Sequence, residues 1–304
     1  MKFKLFNAGL FLLLCVGAAA QQPSSKACYV DPFIGTDGMG HTFPGACVPF
    51  GGVQLSPDTD TIPHNVNGKY QPRAYEYCAG YRYSDPTIVG FSHTHFSGTG
   101  HSDLGDILLM PTTGALKLNP GTSDNPDSGY RSRFSHSTAK ASAGYYEVTL
   151  SDYGVKAQLT ATTRVGIHKY SYPKGVDGQV ILDLIHGIYN YDGKTLWAEV
   201  QVRNDTLLTG YRITNGWART NYTYFAISFS QPISEYGYAD REKINYKGGW
   251  SKFDQYHNFP AMAGRKLVAW FKFATSRNPE LTVKVALSAT GAEGALKNLA
   301  AEAS

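Results

Sequence analysis

Residues able to bind a ligand are concentrated in the segment from Phe91 to Asp106. A β-branched run ends there in a glycine-rich loop that holds three histidines and two aspartates. Glycine permits tight turns and a close approach of the backbone to a ligand. Polar loops that project from a rigid sheet are also where binding residues tend to lie. We therefore expect a binding site in this loop.

Three kinds of site fit this loop. His93 and His95 would share one face of a strand, and with His101 or Asp103 they could hold a metal ion. The Gly98-Thr-Gly100 pair would suit phosphate, but no helix follows it and the glycine fingerprint is incomplete. A wall of hydrogen-bonding groups beside aromatic rings would suit a sugar, whose hydroxyls need polar partners and whose C–H face stacks on rings. An ordinary tyrosine-rich strand surface would give the same pattern. The neighbouring tyrosines are Tyr75, Tyr77, Tyr81 and Tyr83.

Catalysis by these residues alone finds little support. Ser97 and Ser102 have histidines nearby but lack a Gly-x-Ser-x-Gly elbow. Glycoside hydrolysis usually needs two carboxylates on opposite sides of the scissile bond. Asp103 and Asp106 lie on one loop and would rather orient sugar hydroxyls or stabilise a turn. We predict no catalytic residue.

The segments on both sides of this loop have the sequence pattern of β-strands. Tyrosine, threonine and β-branched residues favour strands over helices, and turn signals separate the runs. Many antiparallel strands over this length predict an all-β fold, a large antiparallel β-sandwich in which two sheets bury their inner faces. The run 155–172 is too long for one strand and should bend or split near Gly166. The predicted strands are Thr87–Ser92, Asp106–Met110, Tyr145–Leu150, Val155–Tyr172, Gln179–Leu184, Leu196–Val202, Leu207–Thr214, Tyr222–Ser230, Lys266–Phe273 and Leu281–Ser288.

A short helix is predicted after Thr290. Thr290-Gly-Ala-Glu293 fits a capping box, and an apolar stripe at helical spacing follows it. So short a helix is marginal alone. It could pack back on the sandwich, but we expect it rather to open a helical region that this chain does not contain. The stripe is Ala295, Leu296, Leu299 and Ala300.

The amino-terminal residues resemble an export signal. Lys2 and Lys4 precede the apolar run Leu10–Val16, and three alanines predict cleavage before Gln21. A lipoprotein signal at Cys15 is disfavoured because Leu14 stands where a small residue is expected. The apolar run is too short to cross a bilayer comfortably, and no later segment is long and apolar enough. The protein is therefore expected to be exported, periplasmic or secreted.

The charge of the chain limits the kinds of partner that are expected, and its cysteines limit the disulfides that can form. The chain has 28 basic and 24 acidic residues and no basic run, so a nucleic-acid partner is not expected. After cleavage three cysteines stay, and export permits one disulfide among them. Either Cys47 pairs with Cys78, leaving Cys28 free, or all three are unpaired thiols. Their spacing does not fit a zinc site.

Several long strings resemble the amino-terminal domain of glycoside hydrolase family 92, the calcium-dependent exo-α-mannosidases. The resemblance covers nearly all of the chain after the export signal and continues more weakly to Leu299. The strings are Val30-Asp-Pro-Phe-Ile-Gly-Thr, Gly40-His-Thr-Phe-Pro-Gly-Ala, Val53-Gln-Leu-Ser-Pro-Asp, Gly90-Phe-Ser-His-Thr-His-Phe-Ser-Gly-Thr-Gly and Asp103-Leu-Gly-Asp-Ile-Leu-Leu-Met-Pro.

The resemblance implies a sandwich of the galactose-mutarotase-like supersandwich type, packed on a carboxy-terminal (α/α)6 barrel. Together with the export signal (1–20), it divides the chain into a signal peptide, a sandwich (21–289) and the start of a linker helix (290–304). The barrel would carry the acid, the base and most calcium ligands, so this chain is expected to hold no calcium and to be inactive alone. It would contribute one wall of a pocket for mannose-containing glycans. The implied sugar-binding residues are Tyr75, Tyr77, His93, His95, Ser97, Gly98, Gly100, His101 and Asp103.

Two other functions are compatible with the sequence. The chain could be a free-standing carbohydrate-binding module, or an adaptor that docks on another subunit through its terminal helix. A free-standing binding module should bind mannose with a dissociation constant in the millimolar range or lower. A domain that forms only half of a mannosidase pocket should bind mannose very weakly.

Overall fold

Two antiparallel sheets make up most of the computed structural model, which describes residues 26–241 and 258–304. The predicted signal peptide, residues 1–20, lies outside the described residues. The strands are β1 Ala46–Cys47, β2 Gln54–Asp58, β3 Asn65–Val66, β4 Lys69–Tyr70, β5 Thr87–Ile88, β6 Gly90–Ser92, β7 Leu108–Thr113, β8 Ser132–Arg133, β9 Lys140–Ser142, β10 Tyr145–Leu150, β11 Val155–Ala161, β12 Val165–Ser171, β13 Gly178–Asp183, β14 Thr195–Asn204, β15 Leu207–Thr214, β16 Asn221–Phe229, β17 Ile233–Asp240, β18 Ala261–Gly264, β19 Leu267–Phe273 and β20 Glu280–Ser288. One α-helix, α1 (Ala292–Glu302), follows β20, and short 3-10 turns occupy Lys26–Tyr29, Pro72–Tyr77, Pro126–Ser128 and His136–Thr138.

The two sheets differ in size. The first has seven strands in the order β1-β2-β6-β7-β13-β19-β17, and the second has nine in the order β18-β14-β15-β16-β20-β12-β11-β10-β9. Two small ribbons, β3-β4 and β5-β8, accompany them. The predicted all-β sandwich is confirmed.

One hydrophobic core joins the sheets. Alternate residues of β11 are buried, as expected for a strand with one face on a core. Phe229 of the larger sheet packs on Phe271 of the smaller one, with ring centroids 5.8 Å apart. Burial of apolar side chains from both sheets stabilises the sandwich by about 25 cal/mol for each Å² removed from water.

Most predicted strands are present, and the long run 155–172 divides into two strands as expected. β11 ends at Ala161 and β12 begins at Val165, so the turn lies just before Gly166. The strands β17 and β18 were not predicted, because neither has a sustained β-branched run. β17 reads Ile-Ser-Glu-Tyr-Gly-Tyr-Ala-Asp and is held by pairing with β19.

The predicted capping box is wrong. α1 begins one residue later than a Thr290 cap requires, and Gly291 occupies the cap position without a side-chain hydrogen bond. The Thr290 hydroxyl lies 3.1 Å from the hydroxyl of Ser288 instead. The sequence pattern alone could not reveal this competing partner.

α1 packs on the larger sheet, as the alternative interpretation of the stripe allowed. The Asn298 amide donates to the Leu287 carbonyl at 2.7 Å. The carboxylate of Glu302 accepts from the Thr162 hydroxyl at 2.6 Å and from the Arg164 amide at 2.8 Å. These contacts fix the carboxy-terminal half of the helix against β20 and the β11–β12 turn. No helix among residues 26–241 and 258–304 is long and apolar enough to span a membrane.

The disulfide between Cys47 and Cys78 is not formed. Cys47 is exposed on the edge strand β1, whereas Cys78 is buried and accepts a hydrogen bond from Ser102 at 3.6 Å. Cys28 is also a free, exposed thiol. The alternative of three unpaired thiols is confirmed.

Several loops open at one end of the sandwich. The loop 93–107 joins β6 to β7, and Leu108 at the start of β7 pairs with Asp183 at the end of β13. The loop 184–194 therefore begins at the same end. The loop 215–220 joins it, because Thr214 at the end of β15 pairs with Thr195 at the start of β14. We call this the loop end.

Candidate functional site

The first residues of loop 93–107 are anchored in the core. His93 donates through Nδ1 to the Ile107 carbonyl at 2.6 Å, which closes the base of the loop. The Thr94 hydroxyl donates to the Asp106 carboxylate at 2.9 Å. These cross-loop bonds hold its two strands together, so the loop leaves the sheet in a defined direction.

His93 belongs to a buried chain of hydrogen bonds. Its Nε2 lies 2.9 Å from Nε2 of His168, whose Nδ1 lies 2.8 Å from the hydroxyl of Tyr170. Burial lowers the pKa of His93 to about 4 and holds that of His168 well below its ordinary value. Gly166 makes room for this chain, since a Cβ there would lie 2.7 Å from the His93 ring.

His95 contacts a second buried network, centred on Asp58. One Asp58 oxygen lies 2.8 Å from His95 Nε2. The other lies 2.7 Å from His186 Nε2 and accepts from Ser92 at 2.6 Å. Burial alone would raise the pKa of Asp58, but the two histidines lower it well below its ordinary value. The network ties β2, the loop 93–107 and the loop 184–194 to one carboxylate.

The other side of the loop is held by a buried ion pair. Asp103 contacts Lys194, which is 2% exposed, and accepts from the Trp217 amide at 2.7 Å. Burial would raise the pKa of Asp103, but Lys194 and the Trp217 amide lower it. Gly216 covers the pair, because a Cβ there would lie 2.4 Å from the Asp103 carboxylate and 2.6 Å from Lys194 Nζ. The loops 93–107, 184–194 and 215–220 therefore meet at Asp103.

Residues 96–101 form the exposed tip between these anchors. The Gly98 amide donates to the His41 carbonyl at 2.8 Å, which fixes the middle of the tip. A Cβ on Gly100 would lie 3.4 Å from the Tyr75 hydroxyl, so the tip passes close to that ring. The tip therefore presents main-chain groups and short side chains to solvent from a fixed position.

Aromatic rings surround the tip. His64 stacks on His101 with centroids 4.7 Å apart, and Tyr189 meets both rings edge-on at 4.5 and 5.4 Å. Trp217 is 52% exposed and packs edge-on against Phe96 at 6.1 Å. We call this set the aromatic rim, which consists of His64, Tyr75, Phe96, His101, Tyr189 and Trp217.

The structure divides the residues predicted to contact sugar into two groups. Ser97, Gly98, Gly100 and His101 are exposed on the tip, while Tyr75 and Asp103 are partly buried beside it. Three others are buried, and their polar atoms bond inside the protein: Tyr77 donates to Asp85 at 3.1 Å, and His93 and His95 belong to the two networks. His93 and His95 hold the loop 93–107 from inside, whereas Tyr77 is bonded to Asp85 outside this loop.

Sequence reasoning missed His64, Tyr189 and Trp217. Each is a single aromatic residue in an irregular loop, and no motif surrounds it. They come to the tip because of strand order, which spacing along the chain does not reveal. The turn sequence Asn215-Gly216 directly before Trp217 was the local signal available in the sequence.

Recesses flank the loop 93–107. One of about 150 Å³ lies between Asp103 and Trp217. A larger one of about 560 Å³ lies between Thr94 and Leu104 of the loop and Lys297 and Asn298 of α1.

Metal binding is not supported by the described residues. Within 26–241 and 258–304, no three or more His, Cys, Asp or Glu side chains converge on a point that could hold a metal ion. Calcium takes six to eight oxygen ligands, but the loop carboxylates Asp103 and Asp106 are already paired with Lys194 and Arg212. These residues therefore do not fit a calcium ion. The phosphate interpretation also fails for this part of the chain, because no helix follows Gly100.

Comparison with known proteins gives the family. Residues 29–288 match the glycosyl hydrolase family 92 N-terminal domain. The chain belongs to family 92. Its family 92 domain is 39% identical to the family GH92 α-mannosidase BT3965 of Bacteroides thetaiotaomicron, solved in complex with mannoimidazole, with a TM-score of 0.78 over 90% of this chain. The inverting mannosidase BT2199 of the same organism is 25% identical, with a TM-score of 0.67 over 90% of this chain.

The family 92 relatives are longer than this chain. It covers 34% of the chain of BT3965 and 33% of that of BT2199. A curated protein of Arthroderma benhamiae, described as an uncharacterized secreted glycosidase, is 28% identical over 170 residues, which are 53% of this chain and 19% of that protein. The chain thus spans about a third of the solved relatives.

Proposed function

We propose that this domain forms one wall of a mannose-binding pocket in an exported family 92 α-mannosidase that acts on mannose-containing glycans. The observation that carries the proposal is the exposed tip 96–101, held rigidly between buried anchors and surrounded by aromatic rings. Binding sites need such pre-organisation, because ordering a loop on binding costs affinity. The α-mannosidase relatives support the choice of sugar.

The exposed residues suit a hexose. Ser97 and His101 offer donors and acceptors for hydroxyls, and the glycines at 98 and 100 let a sugar approach the main chain. The faces of Tyr75 and Trp217 would stack on the C–H face of the ring. The buried residues His93 and His95 act through the loop they hold rather than by contact, and buried Tyr77 is engaged by Asp85.

The domain is proposed to need a helical domain for hydrolysis. Inverting hydrolysis requires an acid and a base roughly 6.5–9.5 Å apart. At the loop end Asp103 and Asp106 are each paired with a cation, which disfavours both roles. The acid, the base and any calcium ion would then be supplied from outside residues 26–241 and 258–304, as the resemblance implies. The purified chain should not turn over an aryl α-mannoside, and measurable turnover would contradict this part of the proposal.

Calorimetry with mannose and mannobiose tests the binding role. Half of a pocket should bind very weakly, so the comparison is best made between variants under identical conditions. Trp217→Ala should abolish the binding heat, whereas Trp197→Ala, on the outer face of the larger sheet, should leave it unchanged. Loss in Trp197→Ala alone would overturn the assignment of the site to the loop end.

One observation favours a free-standing carbohydrate-binding module as the second candidate. The outer face of the larger sheet exposes Trp197 and Tyr222, which flank Ile213 on neighbouring strands, and Tyr222 stacks on Tyr224 at 5.9 Å. A flat aromatic surface of this kind can stack on sugar rings. Millimolar or tighter binding that depends on Trp197 would favour this function over the first.

Export is part of the proposal. The amino-terminal pattern supports a signal peptide over residues 1–20, and the Arthroderma relative is described as secreted. The amino-terminal sequence of the protein recovered outside the cytoplasm should begin at Gln21. A protein retained in the cytoplasm with Met1 would contradict it.

A further inference from the structure

The histidines at 93 and 95 lie two residues apart in one motif, yet their surroundings demand different charge states. Both are almost fully buried, so neither can exchange partners with water. Each ring nitrogen must therefore be satisfied by the atom that faces it. The identity of those atoms fixes where the protons lie.

The surroundings of His93 require a neutral ring. Nδ1 faces the Ile107 carbonyl at 2.6 Å and must donate. Nε2 faces Nε2 of His168, which can donate because the Tyr170 hydroxyl supplies a proton to its other nitrogen. One proton on each ring satisfies every atom of this chain. A second proton on His93 would place two N–H groups against each other.

The surroundings of His95 require a second proton. Nδ1 faces the Gln54 carbonyl at 2.7 Å, and a carbonyl can only accept. Nε2 faces the Asp58 carboxylate at 2.8 Å. A neutral ring has one N–H and would leave one of these acceptors without a donor in a fully buried place.

Asp58 does not supply the missing proton. Its second oxygen already accepts from the Ser92 hydroxyl at 2.6 Å and lies 2.7 Å from His186 Nε2. The Ser92 donor and the close His186 nitrogen at this oxygen stabilise the ionised form of Asp58. The strongly lowered pKa of Asp58 agrees with this geometry.

We propose that His95 is a buried imidazolium, paired with Asp58, and that it is a positioning residue for the tip 96–101. Its role in sugar binding rests on the proposed function, but its charge does not. Phe96 follows it directly, and the charged pair ties the start of the tip to β2, while the neutral His93 closes the base of the loop. The groups that face His95 are Asp58, Ser92 and Gln54, the ring of Phe43 at 5.2 Å and, beyond Asp58, His186.

Nuclear magnetic resonance of the full chain labelled with 15N-histidine tests the charge. At pH 7.5 the His95 ring should show two protonated nitrogens, and the His93 ring should show one protonated and one unprotonated nitrogen. The contact between the rings of His95 and Phe43 assigns the signals without a variant. One protonated nitrogen on His95 would overturn the proposal.

Hydrogen exchange tests the positioning role. His95→Gln keeps a donor but removes the charge, and removing one partner of a buried charge pair is strongly destabilising. Exchange of the Gly98 amide, which donates to the His41 carbonyl, should accelerate by about a hundredfold. His136→Gln, a matched change at a half-buried ring stacked on Tyr83, should not change exchange there.

A second variant covers the case in which His95→Gln does not fold. His95→Gln combined with Asp58→Asn removes both charges and should recover part of the protection. Unchanged exchange at 96–101 in a folded single or double variant would refute the positioning role. Failure of mannose binding with the imidazolium signal intact would refute the proposed function instead.

Discussion

Replacing Lys194 by methionine tests whether the buried ion pair holds the loop end together. The change removes the cation beside Asp103 while keeping a similar side-chain length. Removing one partner of a buried pair costs roughly 3–5 kcal/mol, because the other charge is left buried without its partner. Asp103 keeps the Trp217 and Leu104 amides, and its side chain is 12% exposed, so we expect the lower end, about 3 kcal/mol.

Two measurements give the loss of stability. Urea unfolding, monitored by tryptophan fluorescence, gives the free energy of unfolding, and thermal unfolding gives the melting temperature. A loss of about 3 kcal/mol corresponds to a drop of about 6 °C for a domain of this size. Lys169→Met is the matched control, because Lys169 pairs with Glu280 in a half-exposed bridge and should cost less than about 1 kcal/mol. Adding Asp103→Asn to Lys194→Met should cost less than the sum of the single changes. Similar losses for Lys194→Met and Lys169→Met would refute the reasoning.

Three further predictions concern other contacts of the fold. The pKa of His93 falls from 6.5 to about 4 on burial, so between these values the unfolded chain binds more protons. His93 alone should therefore lower the free energy of unfolding by about 3 kcal/mol from pH 6.5 to 4, and the buried His168 should lower it further. Urea titrations in which the free energy of unfolding stays constant would contradict this. Gly105→Ala should be at least about 2 kcal/mol more destabilising than Gly114→Ala in urea unfolding. Both glycines have positive φ, but a Cβ at 105 would lie 2.6 Å from the Ile188 amide and one at 114 meets nothing within 4 Å, so equal losses would contradict the packing. Glu302→Gln should lower the melting temperature by about 2 °C, because it weakens the bonds to Thr162 and Arg164. An unchanged melting temperature would mean that these bonds do not hold α1.

The fold could be predicted from sequence because strands have local signals. β10 and β15 were predicted to the residue, since each is a β-branched and aromatic run between turn signals. β17 was missed because serine, glutamate and Gly237 interrupt its apolar residues. The cap of α1 was displaced because Ser288 competes for Thr290.

The candidate site could be predicted only in part. The loop 93–107 was recognisable from its glycines and histidines, and the tip is exposed there. The sequence could not reveal that His93 and His95 point inward, because their partners Asp58, His168 and His186 lie on distant strands and loops. The aromatic rim depends on the same long-range strand order.

The most direct test of a sugar-binding wall at the loop end is titration of the 15N-labelled chain with methyl α-mannoside, because amide shifts detect weak binding. Shifts should appear at residues 96–101 and at the Trp217 indole, and methyl α-galactoside at the same concentration should produce smaller ones. Shifts confined to the outer face around Trp197, or no shifts at any residue of the tip, would contradict the account.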